Sequence, residues 1–373
     1  MIPPFCPNSA CSLHQKVPSE GSTQWWKANG FHKTKVVGRV RRFQCRTCGK
    51  TFSTRTFQLD YYTKKTVDYR AIFFKNTSAE CVNAVARNLE LRPEVVLNRI
   101  ERLARNCLAM HHSLEGKRPL LEDLCADGFE SFDRSQYFPN HIAILVGDES
   151  QQLYSFAHAT IRKKGKMTKR QKRVREELEK QYRAPRGGVK ASFAKATEVI
   201  TGKWDSSKHP KLYLTTDEHQ AYPRALASLP FAKSPDFTHR KVSSKLSRTK
   251  DNPLFPVNYM DREFRKDHAE HHRESTCFVR NVANGLTRLA MYQCWHNYWK
   301  SHRINSKKER EPVHAVVSGI DEREVEDAKS RLFVERAFLS RTPLPEWALD
   351  VWLRRSKTPL KEKPEYLPAF ALA

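Results

Sequence analysis

The sequence lacks any apolar run long enough to cross a membrane. A membrane-spanning helix needs about 20 consecutive apolar residues, and no stretch of the 373 residues approaches that length. The first residues, 1–6, also lack the basic start and apolar run of a secretory signal peptide. We therefore expect neither a membrane partner nor secretion, and place the protein in the cytoplasm.

The nine cysteines are not arranged as a disulfide framework. Nine is an odd number, and only the first four form close pairs, Cys6 with Cys11 and Cys45 with Cys48. Zinc prefers four tetrahedral thiolate or imidazole ligands, and a pair on a tight turn preorganises half of them. We predict a structural Zn²⁺ site at these four cysteines. His14 is a possible substitute in the first pair, and the alternative is four unrelated buried cysteines.

Acidic residues are too few to balance the basic ones. The chain has 67 Lys and Arg against 41 Asp and Glu, a net charge of +26. Such a surplus attracts a polyanion and favours binding to phosphate backbones by counterion release. Twenty Phe, twelve Tyr and seven Trp provide material for a core, so wholesale disorder is excluded. We expect a folded DNA-binding protein; a basic ribosomal or membrane-surface protein is the alternative.

The chain has no internal repeat, and its length suggests two or three domains. Changes in composition predict four segments: a zinc ribbon over 1–57, a helix-turn-helix-like DNA-binding segment over 58–115, a catalytic domain over 116–302 with a basic insertion at about 162–200, and a charged, Pro-rich tail with weak helices over 303–373. An ordinary helical hairpin that links two domains is the alternative for the second segment.

Strand patterns dominate the third segment. Alternating or apolar runs predict strands over 120–132, 141–146, 153–161, 211–217 and, less regularly, 237–243. A long helix is predicted over 261–301 from its helical periodicity. We therefore predict an α/β fold with a mixed sheet, of the α+β kind.

Three acidic residues stand out by their positions in these elements. Asp127 lies in a strand between the small residues Ala126 and Gly128, and Asp217 ends an apolar strand. Glu274 lies on the apolar stripe of the predicted long helix. Each has an ordinary alternative as a turn residue, an N-cap or one partner of a salt bridge. Together they fit two-metal phosphoryl transfer, which needs carboxylates converging from separate elements and suits Mg²⁺.

The order of these features resembles a known family. A zinc ribbon, a helical segment, three antiparallel strands, a basic arm, a strand ending in Asp and a helix with Glu resemble DDE-type bacterial insertion-sequence transposases over residues 1–300. The resemblance places the family's three acids on Asp127, Asp217 and Glu274. Glu263, Asp267 and Glu270 compete for the third position.

The resemblance implies an RNase H-like catalytic domain that uses Mg²⁺ or Mn²⁺. It also implies cleavage at transposon ends, attack of a 3′-hydroxyl on target DNA, a homo-oligomer on DNA, and a place at the bacterial nucleoid. The basic arm and the helix end supply the expected DNA contacts, which are Lys163, Lys164, Lys169, Arg170, Lys172, Arg173 and Arg273.

Two other functions fit the same sequence. One is a non-catalytic zinc-ribbon DNA-binding regulator, such as a domesticated transposase with an inactive core. The other is an RNase H-like nuclease that cuts DNA without joining it. The three differ in their products, since the regulator only binds and the nuclease only cuts.

Overall fold

The computed structural model describes residues 2–16, 24–116, 118–272, 278–303 and 311–373. It has a mixed α/β architecture with two sheets, one of three antiparallel strands and one of five mixed strands. The prediction of a mixed-sheet α/β fold is therefore confirmed at this level. Among the described residues, no helix combines the length and the apolar character needed to cross a bilayer.

The small sheet lies at the N-terminal end of the chain. Its strands are β1 (Trp26–Thr34), β2 (Gly38–Cys45) and β3 (Thr51–Ser53), paired in the order β1-β2-β3. Trp25, Phe43 and Phe52 are buried and form an aromatic cluster with the cysteines. Because so few residues cannot bury a large apolar core, these aromatic rings and the cysteines provide most of the packing.

Three helices follow the small sheet: α1 (Tyr69–Asn76), α2 (Val82–Asn88) and α3 (Pro93–Glu115). α3 begins with a proline at its first position, where no backbone donor is required. From Arg99 onward most of its residues are buried, and it packs against the later helix α9. Residues 93–98, apart from the buried Val96, are more accessible than most of the rest of the helix.

The large sheet is built from five strands in the order β6-β5-β4-β7-β8. Their bounds are β4 (Leu124–Phe132), β5 (Pro139–Gly147), β6 (Leu153–Thr160), β7 (Leu212–Thr216) and β8 (Phe237–Lys241). The first three form an antiparallel meander, whereas β7 runs parallel to β4 and β8 runs parallel to β7. All five lie where the strand patterns predicted them.

Four helices lie between β6 and β8: α4 (Lys169–Gln181), α5 (Gly188–Thr197), α6 (Val199–Lys203) and α7 (Ala221–Leu226). None of the 13 residues of α4, all of them described, is buried. α5 differs, because Phe193 and Ala196 are fully buried against the sheet. The exposed part of the predicted insertion therefore ends before α5.

The long helix predicted over 261–301 is two helices. α8 (Phe255–Asp267) ends at His268, and α9 (Val282–Tyr298) begins after Asn281, whose side chain accepts from the Asn284 backbone amide as an N-cap. Between them, Ala269–His271 forms a short 3-10 turn. Apolar residues recur at helical spacing on both sides of this break, so the sequence pattern gives no sign that one helix ends and another begins.

The C-terminal segment, expected to be a charged tail, contains α10 (His314–Val317), α11 (Glu322–Leu332) and α12 (Glu346–Trp352). Trp347 and Trp352 are buried and belong to the main core. α11 and α12 lie within the stretches where weak helices were predicted. The division of the chain into four domains stays a prediction.

Candidate functional site

The four predicted zinc ligands converge. The sulfur atoms of Cys6, Cys11, Cys45 and Cys48 all lie within 4.8 Å of one another. Cys6 Sγ is 3.6 Å from Cys48 Sγ, and Cys11 Sγ is 3.9 Å from Cys45 Sγ. Four thiolates about 2.3 Å from a tetrahedral zinc ion are separated by roughly 3.8 Å. The cluster therefore has the dimensions of a four-cysteine metal site.

Tight turns produce this convergence. The Cys45 backbone amide donates to the Lys50 carbonyl, and the Gly49 amide donates to the Cys45 carbonyl. Gly49 has a φ of +72°, a left-handed conformation that glycine adopts without strain. Burial opposes ionisation of Cys48, but hydrogen bonds from the Lys50 backbone and from Asn8 lower the pKa of its thiol to about 7. A thiol of this kind loses its proton readily to a bound cation.

His14 is not placed as a substitute ligand. Its ring is fully buried, with Nδ1 2.7 Å from the Cys6 carbonyl oxygen and Nε2 2.8 Å from Ser340 Oγ. Because both nitrogens have other partners, His14 supports the loop that carries Cys6. Its second partner comes from the C-terminal segment.

The two predicted aspartates lie on neighbouring parts of the large sheet, Asp127 on β4 and Asp217 directly after β7. β4 pairs in parallel with β7, with Leu124 opposite Leu214 and Cys125 opposite Thr215, so the same register leads to Asp127 beside Asp217. Burial raises the pKa of the Asp127 carboxyl to about 6, and the negative charge of Asp217 acts in the same direction. A raised carboxylate pKa next to a second acid is characteristic of sites that bind cations or protons.

Asp127 is held by a short chain of polar groups. Its Oδ1 accepts from its neighbour Gly128 N at 2.7 Å and from the Tyr222 hydroxyl at 3.1 Å. The Tyr222 hydroxyl in turn lies 3.3 Å from His141 Nε2, and His141 Nδ1 lies 2.9 Å from Ser192 Oγ. Burial lowers the pKa of His141 to about 4, so this imidazole is neutral at physiological pH. Sequence reasoning did not identify Tyr222 or His141, since neither belongs to a recognisable motif.

Helix α8 covers the face of β4 from which Asp127 projects. Cys125, Asp127 and Phe129 share that face because side chains alternate along a strand. Cys125 Sγ contacts the Pro253 carbonyl at 3.3 Å, and the Phe129 ring lies 5.4 Å from that of Phe264. α8 therefore runs in the same direction as β4.

Asp261 is a further acid on the face of α8 that is turned toward the sheet. It lies three residues before Phe264 and four after Val257, on the stripe that faces the sheet. That spacing is the sequence signal by which Asp261 could have been found.

The acids that competed for the third position are engaged elsewhere. Glu263 is buried against the Nζ atoms of Lys266 and Lys300. Asp267 accepts from the Tyr292 hydroxyl at 3.2 Å, and Glu270 pairs with the Arg288 guanidinium.

Glu274 and Arg273 lie outside the described residues. Within the described residues, Asp127 and Asp217 do not belong to a group of three or more His, Cys, Asp or Glu residues whose ligand atoms all lie within 4.8 Å of one another. Two metal ions about 4 Å apart do not require this, since a third carboxylate can bind one ion alone.

A basic groove begins beside His219, two residues after Asp217. Its volume is about 920 Å³, and its lining includes Glu130 from the β4 strand of Asp127 and His219, whose backbone amide donates to Asp217 Oδ1 at 2.9 Å. The groove is also lined by seven cationic residues, which are Arg162, Lys163, Lys164, Arg183, Arg186, Lys190 and Arg224. Its charge suits a polyanion.

The other residues predicted to contact DNA lie on or next to α4. Lys169, Arg170, Lys172 and Arg173 are exposed on this helix, whereas the Lys163 ammonium is held by Gln136 Oε1 at 2.8 Å. α4 is tied to the end of β6 by an ion pair between Arg162 Nε and Glu179 Oε1 at 2.6 Å. This ion pair fixes the position of α4 relative to the sheet, while its basic side chains stay exposed to solvent.

No protein-family model matches this chain, and no curated protein matches it either.

Proposed function

We propose that the protein is a metal-dependent DNA transposase with an RNase H-like catalytic core. The observation that carries this proposal is the neighbouring position of Asp127 and Asp217 on the parallel strands β4 and β7 and their continuation, with His219, which hydrogen-bonds to Asp217, lining a cationic groove. The three antiparallel strands followed by a parallel strand that leads to Asp217 also match the element order of the resemblance.

In this proposal Asp127 and Asp217 bind divalent cations, for which Mg²⁺ and Mn²⁺ are the suitable hard ions. Bound cations would activate the attacking oxygen and stabilise the leaving oxygen of a scissile phosphate. Glu274 stays the third carboxylate that the resemblance implies, and we propose Asp261 as its alternative because it lies three residues before Phe264, which contacts Phe129 of β4. Tyr222 positions Asp127 through its hydroxyl.

The proposal assigns DNA contacts to the groove and to α4. The groove cations would hold the phosphates next to the reacting one, and the exposed side chains of α4 would hold a more distant part of the duplex. The four-cysteine cluster would hold a structural Zn²⁺, and the zinc ribbon and the α2–α3 pair would recognise transposon ends. A homo-oligomer on DNA stays part of this proposal.

The test is a strand-transfer assay with labelled duplexes that carry the DNA flanking the gene, in Mg²⁺ or Mn²⁺. We expect cleavage and joining by the unmodified protein and a loss of at least 100-fold in the Asp127→Asn and Asp217→Asn variants. Glu218→Gln is the matched control, because this exposed acid adjoins Asp217 without belonging to the pair. Full activity of Asp217→Ala would refute the proposed site.

The same assay separates the alternatives and identifies the third acid. Cleavage without joined products would support a nuclease, and sequence-specific binding without metal-dependent cleavage would support a regulator. If Asp261 is the third ligand, Asp261→Asn should abolish cleavage and Glu263→Gln, on the same helix, should retain it. If Glu274→Gln abolishes cleavage while Asp261→Asn does not, the third ligand is Glu274.

A further inference from the structure

A buried cluster of two imidazoles and a carboxylate lies between α8 and α9. His268, Glu270 and His271 come from the 3-10 turn that follows α8, and they are 1%, 7% and 3% exposed. One ligand atom from each lies within 4.8 Å of the other two. This cluster is separate from both the four cysteines and the aspartate pair, and the proposed function does not use it.

The ion pair between Glu270 and Arg288 does not account for the buried, unbonded imidazole of His268. Both of its ring nitrogens are buried, and within the described part of the chain neither has a hydrogen-bond partner. Its Nδ1 lies 3.9 Å from Glu270 Oε1, which is too far for a hydrogen bond. Buried polar groups in native proteins are nearly always satisfied. An imidazole of this kind, facing a carboxylate and a second imidazole, is suited to binding a cation.

The other two residues have the supporting contacts that metal ligands usually have. His271 Nδ1 lies 3.2 Å from Ser131 Oγ, which orients the ring and leaves Nε2 as the nitrogen for an ion. Glu270 Oε1 accepts from Arg288 Nε, which orients the carboxylate. Hydrogen bonds of this kind to ligating imidazoles and carboxylates fix their direction around an ion.

We propose that His268, Glu270 and His271 bind a divalent transition-metal ion. Two nitrogen ligands and one oxygen ligand suit Zn²⁺, Fe²⁺ or Mn²⁺ better than Mg²⁺ or Ca²⁺, which prefer oxygen. Adjacent ligand atoms of a tetrahedral ion lie roughly 3.4 Å apart when the bonds are about 2.1 Å. The 3.9 Å between His268 Nδ1 and Glu270 Oε1 is close to this spacing.

The ion would fix the junction of three elements. His271 stacks edge-on against Phe129 of β4 at 5.0 Å, Glu270 is tied to Arg288 of α9, and His268 follows the last turn of α8. A single ion at this point would hold both helices against the strand that carries Asp127.

The test is the zinc content of the full-length protein, measured by mass spectrometry after dialysis against buffer with trace zinc. Every sample carries Asp127→Asn and Asp217→Asn, so that ions at the aspartate pair do not contribute. We expect two zinc ions per chain, one in the Cys48→Ser variant and one in the His268→Ala variant. His272→Ala is the matched control and should keep two, because the exposed His272 ring lies outside the cluster.

Cobalt substitution distinguishes the two sites. The His268→Ala variant should keep the thiolate-to-cobalt charge-transfer absorption, and Cys48→Ser should lose it while still binding one cobalt ion. One zinc per chain in the background protein, lost entirely in Cys48→Ser, would overturn the proposal whether or not His268→Ala folds. Because the aspartates are already replaced, this result is independent of the proposed transposase activity.

Discussion

Asp127 is an acid whose ionisation is disfavoured both by burial and by a neighbouring acid when no cation is bound. Its carboxyl is enclosed and adjoins Asp217, so its pKa is raised to about 6 from an ordinary value of 3.8. The folded state therefore binds a proton more tightly than the unfolded chain does. This contribution to stability is complete below about pH 4 and is lost as the pH rises through 6.

Replacing Asp127 with Asn should therefore stabilise the metal-free protein at neutral pH. A shift of about two pKa units corresponds to at most about 3 kcal/mol, and partial exposure reduces this to about 1–2 kcal/mol. We expect a higher Tm for Asp127→Asn at pH 7.5, and no difference between the two proteins near pH 4. Thermal denaturation without divalent cations measures this. A lower Tm for the variant at pH 7.5 would contradict it.

Gly128 is required by a close approach between two strands. A Cβ atom at this position would lie 1.9 Å from His141 Nε2, a contact that only a displacement of the buried histidine could relieve. Gly128→Ala should lower the free energy of unfolding by about 1–3 kcal/mol, the usual cost of overpacking. Urea denaturation checks this, with Gly202→Ala as the control because a Cβ there meets nothing within 4 Å. Equal stability of the two variants would show that His141 moves freely.

At the scale of elements, α4 is a helix that contributes charge without contributing to the core. None of its described residues is buried, and its capping box, in which Thr168 Oγ1 accepts from the Gln171 amide, sets its start. Changes on its outer face should therefore alter the binding of DNA without altering folding.

The double variant Arg170→Gln with Arg173→Gln tests this separation. We expect an unchanged Tm and weaker DNA binding, with the slope of log K against log salt reduced by up to about 1.8, because each phosphate contact contributes about 0.9. Fluorescence anisotropy over a range of salt concentrations measures the slope. Arg323→Gln with Arg331→Gln on α11 is the matched control, and an equal loss in both pairs would mean that only net charge matters.

The elements differ in how well the sequence predicts them. The strands of the large sheet were predictable because alternation and β-branched composition are local properties. The division between α8 and α9 was not, since apolar residues recur at helical spacing on both sides of residues 268–281. Asp261 was not a candidate in the sequence for a related reason: the predicted helix began at Asp261, so the stripe that connects it to Val257 was not considered.

At the scale of the whole molecule, the convergence of the four cysteines was predictable because they come from two short loops with fixed spacing. The role of the C-terminal segment was not predictable, because its charged and Pro-rich composition conceals a few buried aromatic residues. Trp347 and Trp352 enter the main core, and Phe338 enters the aromatic cluster around the cysteines. Such contacts between distant parts of a chain leave no local pattern.

Phe338 should therefore affect the retention of zinc from a distance of nearly 300 residues. Its ring packs edge-on against Phe5 at 5.0 Å, next to Cys6. Phe338→Ala should destabilise the small sheet by about 3–5 kcal/mol and speed the loss of zinc to a chelator. A colorimetric chelator measures the rate, and Tyr366→Ala, an exposed aromatic in the same segment, should leave it unchanged. Identical rates for both variants would contradict this coupling.

The contact between His14 and Ser340 also bears on the order in which the chain folds during its synthesis. Ribosomal synthesis delivers the cysteine loops first, and domains usually fold in the order of their emergence. Here the loop that carries Cys6 acquires its last hydrogen-bond partner only when Ser340 has left the ribosome. The four-cysteine end of the nascent polypeptide therefore stays incompletely packed until the segment around Ser340 has been synthesised, and its thiols are open to oxidation for that time.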